Sequence, residues 1–370
     1  MQQQIHGHVD PRFTEVLKPF QKFLDTGEEL GASIAVNIDG ENVVDIWGGF
    51  STEDRTKAWE RDTIVNVFST TKTVSAMAAL ILVDRGLLDI NEKVHKYWPE
   101  FASNGKSDIE VRHLLSHTSG LSGWELTMTM EDLFNFDESV AKLEEQEPWW
   151  TPGSASGYHS WTYGFLIGQL IAGPLGADFE IGVSEKNWHR VSPIVFSGAE
   201  ASSPPAGTDS TSIQAKTFFN PPLDPPLVNK SIWREAEIGS ANGHGNALSI
   251  ATMLSPISLG GEAKGVRLLS QKTIDLIFQE QSRGIDLVTG MNVRFGVGFG
   301  LSGKDTDLGF LPEGRVCMWG GYGGSVGIMD LDRRMTISYA MNKLPAEAAG
   351  VDSVRTQAYV GAIYSAVGAK

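Results

Sequence analysis

Three short clusters in this chain place a nucleophile or a proton-handling group in a setting that could expose it. In Ser69-Thr70-Thr71-Lys72 a hydroxyl and an amine stand at i and i+3. On a helix that spacing puts both side chains on one face. The serine would open the helix, so the positive end of the helix dipole favours a neutral Lys72 amine. A neutral amine can take the serine's proton and turn a weak hydroxyl into a nucleophile. The plainer alternative is that Ser69 simply caps a helix. Tyr158-His159-Ser160 comes after the small-residue loop Pro152-Gly153-Ser154-Ala155-Ser156-Gly157. A tyrosine there can approach another site, and its phenol relays protons if a nearby lysine lowers its pKa. Otherwise it is a packed aromatic with a bonded hydroxyl. In Trp319-Gly320-Gly321-Tyr322-Gly323-Gly324, glycines at a strand end let a ligand lie against the backbone and let an N–H point into a site. A bulge or edge bend would use the same residues.

Other patterns compete with these. The S-x-x-K spacing recurs at Ser103/Lys106 and Ser139/Lys142. The first contains Asn-Gly and reads as a turn. The second lies in an acidic helix and reads as a solvated face. Only Ser69 joins an apolar segment, Ile64–Phe68, to an apolar helix. Gly323-Gly324-Ser325-Val326-Gly327 matches G-x-S-x-G, but that elbow needs a helix after the serine, and residues 326–332 read as a strand. His6-Gly7-His8-Val9-Asp10 resembles part of a metallo-β-lactamase zinc motif, with Pro11 in place of the next histidine. With one cysteine and scattered histidines, no metal and no cofactor is expected. The glycines of 295–300 lack the Gly-Lys-Ser/Thr that phosphate cradling needs. His117 and His244 sit in turn-rich segments and read as structural.

The elements that would position these residues can be read in outline. Asp10–Leu30 has helical apolar spacing. Residues 33–38 and 43–47 read as strands of a hairpin around Asp39-Gly40, a pair that accepts the positive φ of a tight turn. Thr70–Arg85 is an apolar helix stopped by Gly86. The middle of the chain is helical, with segments Glu110–Leu115, Met130–Glu145 and Trp161–Ala172. Gly/Pro/Ser loops separate them, the extreme being 219–226. A further helix spans about Asn246–Leu259. Strands return at Val293–Leu301, Arg315–Trp319, Ser325–Leu331 and Met335–Met341, and Ser353–Val367 reads as a last helix. The expectation is an α+β fold: one antiparallel sheet built from both chain ends, flanked by terminal helices, with an inserted helical domain. Residues 1–90 and 245–370 would form the sheet domain and 91–244 the insert, with the active site in the cleft between them.

The 370 residues carry 30 basic and 45 acidic side chains, a formal charge of −15. Such a chain repels nucleic acid and anionic lipid. No apolar stretch reaches the roughly 20 residues a membrane helix needs. The lone cysteine, Cys317, excludes an intramolecular disulfide. No secretory leader is read at the N-terminus, so the expected location is cytoplasmic.

Taken in order, Ser69-x-x-Lys72, Tyr158-x-Ser160 and Trp319-Gly320-Gly321 resemble the three motifs of the serine β-lactamase and penicillin-binding-protein superfamily. His113-Leu114-Leu115-Ser116-His117-Thr118-Ser119-Gly120-Leu121 is similar to a signature of its class C-like branch. The resemblance covers nearly the whole chain and includes the split-domain layout. Two departures, Ser160 where class C β-lactamases have Asn and Trp319 where they have Lys, look like the family VIII carboxylesterases and related fungal polyketide acyltransferases. The resemblance implies Ser69 as nucleophile, Lys72 as its proton acceptor and Tyr158 sharing the proton work. It also implies an oxyanion hole from the N–H groups of Ser69 and Tyr322, and substrate contacts at Trp319, Gly320, Gly321, Ser160 and Trp124. Without the motif's lysine, the implied substrates are neutral esters, lactones or thioesters. Of the ten tryptophans, Trp124, Trp149, Trp150, Trp161 and Trp319 stand near the motifs; if several line the cleft, the substrate is large and apolar. The expected function is a serine hydrolase of carboxylic esters or lactones. An acyltransferase to an alcohol or thiol is the alternative, and a non-catalytic binding protein on the same fold is the third. The oligomeric state is left open.

Overall fold

The computed structural model describes residues 4–167, 179–197, 208–345, 350 and 353–369. In chain order the strands are β1 (Ile5–Val9), β2 (Gly31–Ile38), β3 (Glu41–Gly49), β4 (Ile64–Asn66), β5 (Glu180–Ile181), β6 (Val191–Ser192), β7 (Gly243–Gly245), β8 (Glu262–Ala263), β9 (Val266–Arg267), β10 (Ser282–Ile285), β11 (Asn292–Phe295), β12 (Gly300–Leu301), β13 (Val316–Gly320), β14 (Val326–Asp330) and β15 (Met335–Met341). The α-helices are α1 (Leu17–Thr26), α2 (Thr71–Asp84), α3 (Val111–Leu115), α4 (Phe136–Glu145), α5 (Thr162–Ile167), α6 (Ile213–Phe218), α7 (Pro225–Val228), α8 (Ser231–Glu235), α9 (Ala247–Ser258), α10 (Gln271–Ile277) and α11 (Val354–Ala366). Among the described residues no helix is long and apolar enough to cross a membrane.

Among the described residues nine strands form one antiparallel sheet in the order β1-β3-β2-β15-β14-β13-β12-β11-β10, so the two chain ends meet where β2 pairs with β15. The hairpin that starts it turns at Asp39 and Gly40, with φ of 52° and 90°, the positive values a primed two-residue turn requires. Every residue from Gly31 to Asn37 is buried, as expected for a strand covered on both faces. The covering helices can be assigned from alternation. Ser338 Oγ donates to the Ala247 carbonyl at the head of α9. The next residue, Tyr339, packs its ring 5.0 Å from Tyr359 of α11. The helices α9 and α11 therefore lie on opposite faces. Ser33 and Ala35 supply the small surface α9 needs: Ser33 Oγ accepts from Ala247 N–H at 3.1 Å, and Ala35 clusters with Ala247 and Ala251.

On the α11 face, a buried ionic group ties the two chain ends. Arg355 donates to Glu29 at 2.9 Å and to the carbonyls of Gly323 and Lys343. The hydroxyls of Tyr339 and Tyr359 also donate to Glu29. The Gly323 contact reaches the turn that carries Tyr322.

The sheet built from both ends and the terminal helices match the expected fold. The N-terminal helix begins as a 3₁₀ turn, Pro11–Val16, before α1. The helix expected over 161–172 is seen as α5, which opens one residue later at Thr162, and residues 168–172 lie outside the described residues. In 219–226 the loop expectation holds until Pro225, which opens α7 at the one helical position a proline fits without loss. Strands β1 and β10 and the four-stranded sheet β5-β7-β4-β6 have no counterpart among the sequence expectations. Strands β4 to β7 have two or three residues, β10 four and β1 five; runs so short carry little periodic signal, and their pairing is decided by neighbours far along the chain. The segment with a likeness to a zinc motif, His6–His8, is edge strand β1, with the His6 ring stacked 6.3 Å from Trp47.

Candidate active site

The first motif lies where β4 of the small sheet runs into α2. The Asn66 side-chain carbonyl accepts from Phe68 N–H at 3.3 Å, and Phe68 takes φ of 43°. That conformation is uncommon for a bulky side chain and marks a local constraint just before the serine. Ser69 stands in the 3₁₀ turn Phe68–Thr70, half-buried among fully buried neighbours. No side chain caps either this turn or α2, so the helix-cap alternative does not describe Ser69. Opposite, β13 brings Gly321 against the turn. A Cβ on Gly321 would sit 2.2 Å from the Val67 carbonyl oxygen and 3.2 Å from Ser69 N. Only glycine lets the third motif come this close to the serine.

Helix α2 is buried on all sides from Thr71 to Leu80, and Lys72 goes in with it. Lys72 Nζ lies 3.2 Å from Ser69 Oγ and donates to the carbonyls of Ser160 at 2.7 Å and Ser240 at 2.8 Å. These partners are a hydroxyl and two carbonyls, and none is a carboxylate. Burial pushes its pKa well below the ordinary lysine value, because desolvation penalises the charged amine. The helix dipole invoked from sequence is not needed to explain a neutral amine.

Tyr158 stacks its ring 4.8 Å from Lys72 Nζ. Its hydroxyl accepts from Trp319 Nε1 at 3.3 Å. Burial raises the phenol pKa to about 12, and the Asp286 charge adds to that, while Ser69 and Trp319 oppose it. The expectation that lysine would lower this pKa is not met for a physical reason: desolvation of the buried phenol outweighs the hydrogen bonds that favour its ionised form. The phenol therefore stays protonated at neutral pH.

A histidine expected to be merely structural lies in the same place. His117 takes φ of 62°, and its ring centroid is 5.0 Å from those of Tyr158, Tyr163 and Phe295. His117 Nδ1 accepts from His159 N–H at 3.1 Å. Burial holds His117 well below the usual histidine range and brings His159 down to about 3, so both rings are neutral at pH 7. Since Gly157's carbonyl can only accept, His159 Nδ1 carries the proton and Nε2 accepts from the Ser119 hydroxyl at 2.6 Å. Thus much of the stretch 113–121 supports Tyr158 from behind. His113 Nδ1 accepts from the Glu110 N–H as part of a capping box at the start of α3. His244 lies in β7, one strand from Asn66, and is held down to about 3 by burial.

Of the other expected residues, Trp319 stands beside the tyrosine and Gly321 against the Ser69 turn, Gly320 ends β13 between them, and Ser160 contributes its backbone carbonyl to Lys72. The Tyr322 ring packs edge-on to Phe68, 5.7 Å away. Trp124 does not join them. It is fully buried, packs on Phe165 and donates Nε1 to Ser139 O at 2.9 Å. Trp161 is a core residue against Trp233, while Trp149 and Trp150 bond to Glu125 and Ala155. Among these tryptophans only Trp319 contacts Tyr158. Trp124→Ala is accordingly expected to cost about 3–5 kcal/mol of stability and leave the ratio of kcat/KM between short and bulky esters unchanged. Chemical denaturation and a two-ester assay check both halves.

The rival serines are accounted for. Ser325 is buried, donates to the Val67 carbonyl at 2.8 Å and bonds Thr70 Oγ1 at 2.9 Å, so it buttresses the Ser69 turn. Lys106 closes the C-terminal end of α4 through the Glu144 and Gln146 carbonyls. Ser139, expected on a solvated face, is fully buried, because its hydroxyl is satisfied by the Asp132 carbonyl. Among the described residues no three His, Cys, Asp or Glu side chains are grouped to hold a metal ion.

A family model described as Beta-lactamase matches residues 18–360. Esterase/beta-lactamase LipL of Mycobacterium tuberculosis is 27% identical over 367 residues, covering 92% of this chain and 83% of that protein. The crystal structure of a family VIII carboxylesterase superposes with a TM-score of 0.89 at 33% identity, over 98% of this chain and 100% of the other. A penicillin-binding-protein homologue from Caulobacter crescentus gives 0.89 at 32%, with the same 98% and 100% coverage. Since the likeness spans both ends of the sheet and everything between them, the chain belongs to the beta-lactamase family.

Proposed function

We propose that the protein is a serine carboxylesterase working through an acyl-enzyme on Ser69, and that its substrates are neutral, apolar or aromatic esters or lactones. The observation that carries this is the bonding of Lys72. A neutral amine has two N–H bonds and one lone pair. The Ser160 and Ser240 carbonyls can only accept, so they take the two N–H bonds. The lone pair is left for the proton of Ser69, 3.2 Å away.

Ser69 Oγ attacks the ester carbonyl carbon as its proton passes to Lys72 Nζ. Charge gathers on the carbonyl oxygen, where the N–H groups of Ser69 and Tyr322 would receive it. The bond to the leaving oxygen breaks, and that oxygen takes the proton held by Lys72. Water then repeats the attack on the acyl group and restores Ser69. Tyr158, protonated throughout, offers its hydroxyl to the oxygen that gains charge in each half. Substrate would lie in a cleft between the sheet unit (residues 1–90 and 245–370) and the insert (91–244), since Ser69, Lys72 and Trp319 come from the first and Tyr158 from the second.

The test is intact-mass analysis after mixing with p-nitrophenyl acyl esters of graded chain length, with and without an added alcohol or thiol. A mass increase equal to the acyl group, absent in Ser69→Ala, supports the proposal. Turnover that depends on the added acceptor would make the enzyme an acyltransferase instead, and no adduct with any ester would remove the proposal.

The preference for neutral substrates rests on the wall beside the serine. Tyr158, Val288, Val293, Phe295 and Trp319 form one apolar cluster, with Ile213, Phe218 and Met291 packed against it. An anionic acyl group entering there would lose water without meeting a cation. Trp319→Lys is expected to lower kcat/KM for neutral esters and raise it for carboxylate-bearing β-lactams or hemi-esters. A charge-assisted hydrogen bond contributes about 1.5–3 kcal/mol, so the preference should shift roughly 10- to 100-fold. An unmoved ratio would mean that Trp319 does not face the acyl group.

A further inference from the structure

Asp286 is fully buried beside the second motif and takes no part in the proton transfers above. It closes the turn between β10 and β11. Its Oδ1 accepts from the N–H groups of Val288 at 3.0 Å and Thr289 at 2.9 Å, and from the Thr289 hydroxyl at 3.2 Å. Those three donors belong to the turn itself. The fourth does not: it is the backbone N–H of Tyr158, 3.1 Å away and 128 residues distant in sequence. The other carboxylate oxygen, Oδ2, is buried and has no donor among the described residues. One residue on, Leu287 N–H donates to the Ser156 carbonyl at 2.9 Å. The loop before Tyr158 is thus stitched to the hairpin at two points, and Val288 of the same hairpin packs in the cluster with Tyr158 and Trp319.

We infer that Asp286 is a positioning residue that clamps the Tyr158 backbone and so holds the phenol against Ser69 and Lys72; this rests on Tyr158 acting in the reaction as proposed above. The loop Gly153–Gly157 is built of small residues; its own N–H groups at Gly153 and Gly157 bond to the Thr118 and His117 carbonyls, while the N–H of Tyr158 itself goes to Asp286. The Asp286 side chain supplies the constraint on Tyr158 itself, because a hydrogen bond to an N–H in a dry site is strong and directional. With Oδ2 unpartnered among the described residues, all four hydrogen bonds of the group fall on Oδ1. Around the phenol, Lys72 of α2, the His117 and His159 rings and Tyr163 of α5 are the other titratable groups. Burial lowers the pKa of Lys72, His117 and His159 and raises that of Tyr163.

The test is a double-mutant cycle on the full chain, with kcat referred to active sites titrated by a phosphonate so that unfolded protein is not counted. Asp286→Ala in the parent should lower kcat about 100-fold, the scale of a misplacement of about 1 Å, with KM within about 3-fold. In the Tyr158→Phe background the same change should cost less than about 3-fold, because the group being positioned is already gone. Asp286→Asn keeps the Oδ1 acceptor and should retain kcat within about 5-fold while lowering the melting temperature. Should the alanine variant not fold, Asp286→Glu, which moves the acceptor by one methylene, replaces it in the cycle with the same expectation. Equal losses in the two backgrounds, or an asparagine variant as impaired as alanine, would overturn the clamp. A Tyr158→Phe enzyme as active as the parent would overturn both the clamp and the role of Tyr158 beneath it.

Discussion

Replacing Ser69 with alanine is expected to lower kcat for p-nitrophenyl esters by about 10⁴- to 10⁶-fold, the range seen when a nucleophile is removed from a concerted unit. It should also abolish covalent labelling by a phosphonate. The size comes from where the residue sits. Ser69 is the half-buried position in an otherwise buried turn, so it is the hydroxyl a substrate can reach. Its Oγ lies 3.2 Å from Lys72 Nζ. Ser325→Ala is the control. That hydroxyl is committed to the Val67 carbonyl and Thr70, so its loss should cost about 1–3 kcal/mol of stability through unmade hydrogen bonds while labelling persists. Labelling that survives Ser69→Ala and disappears in Ser325→Ala would reverse the assignment.

Lys72→Arg is the second large effect, an expected loss of about 10³-fold or more in kcat/KM at pH 8. Arginine keeps its proton at every accessible pH and cannot accept one from Ser69, and general-base catalysis alone contributes roughly 10²- to 10⁴-fold. The same chemistry sets the pH profile of the parent enzyme. Only the neutral amine is competent, and burial pulls its pKa well below the ordinary lysine value. Activity should therefore rise with pH on the acid side and level off well before the roughly 10.4 of a free lysine. The Tyr158 phenol, at about 12, adds no alkaline fall below pH 10. A kcat/KM still climbing between pH 9 and 10.5 would mean that Lys72 is charged at neutral pH.

Stability should carry the same signature. Between the folded and unfolded pKa values of Lys72 the unfolded chain binds the extra proton, so stability rises with pH across that window. The melting temperature of the parent should gain on that of Lys72→Met as pH goes from 6 to 10. A constant gap would contradict a depressed lysine.

Features that depend on neighbours a few residues apart are legible in the chain alone. The Ser69–Lys72 pairing is an i, i+3 relation, so a helix is enough to bring the two together. The Asp39-Gly40 turn, helix α2 and its stop at Gly86, and the strands on either side of the third motif are likewise local in origin. The order of the three motifs along the chain pointed to the family. Other features come into being only with packing. Whether Lys72 is neutral, and that the phenol of Tyr158 is not acidic, both depend on burial by segments far away in sequence. Trp124 and Trp319 are the same residue type, and only packing sends one into the core beside Phe165 and the other to Tyr158. His117 has no spacing that marks it as a neighbour of Tyr158. Asp286 meets Tyr158 across 128 residues, through a hairpin whose first strand has no periodic signal. Such contacts form only when the sheet closes from both chain ends, since side-chain desolvation and long-range pairing are properties of the packed molecule and not of any stretch of its sequence.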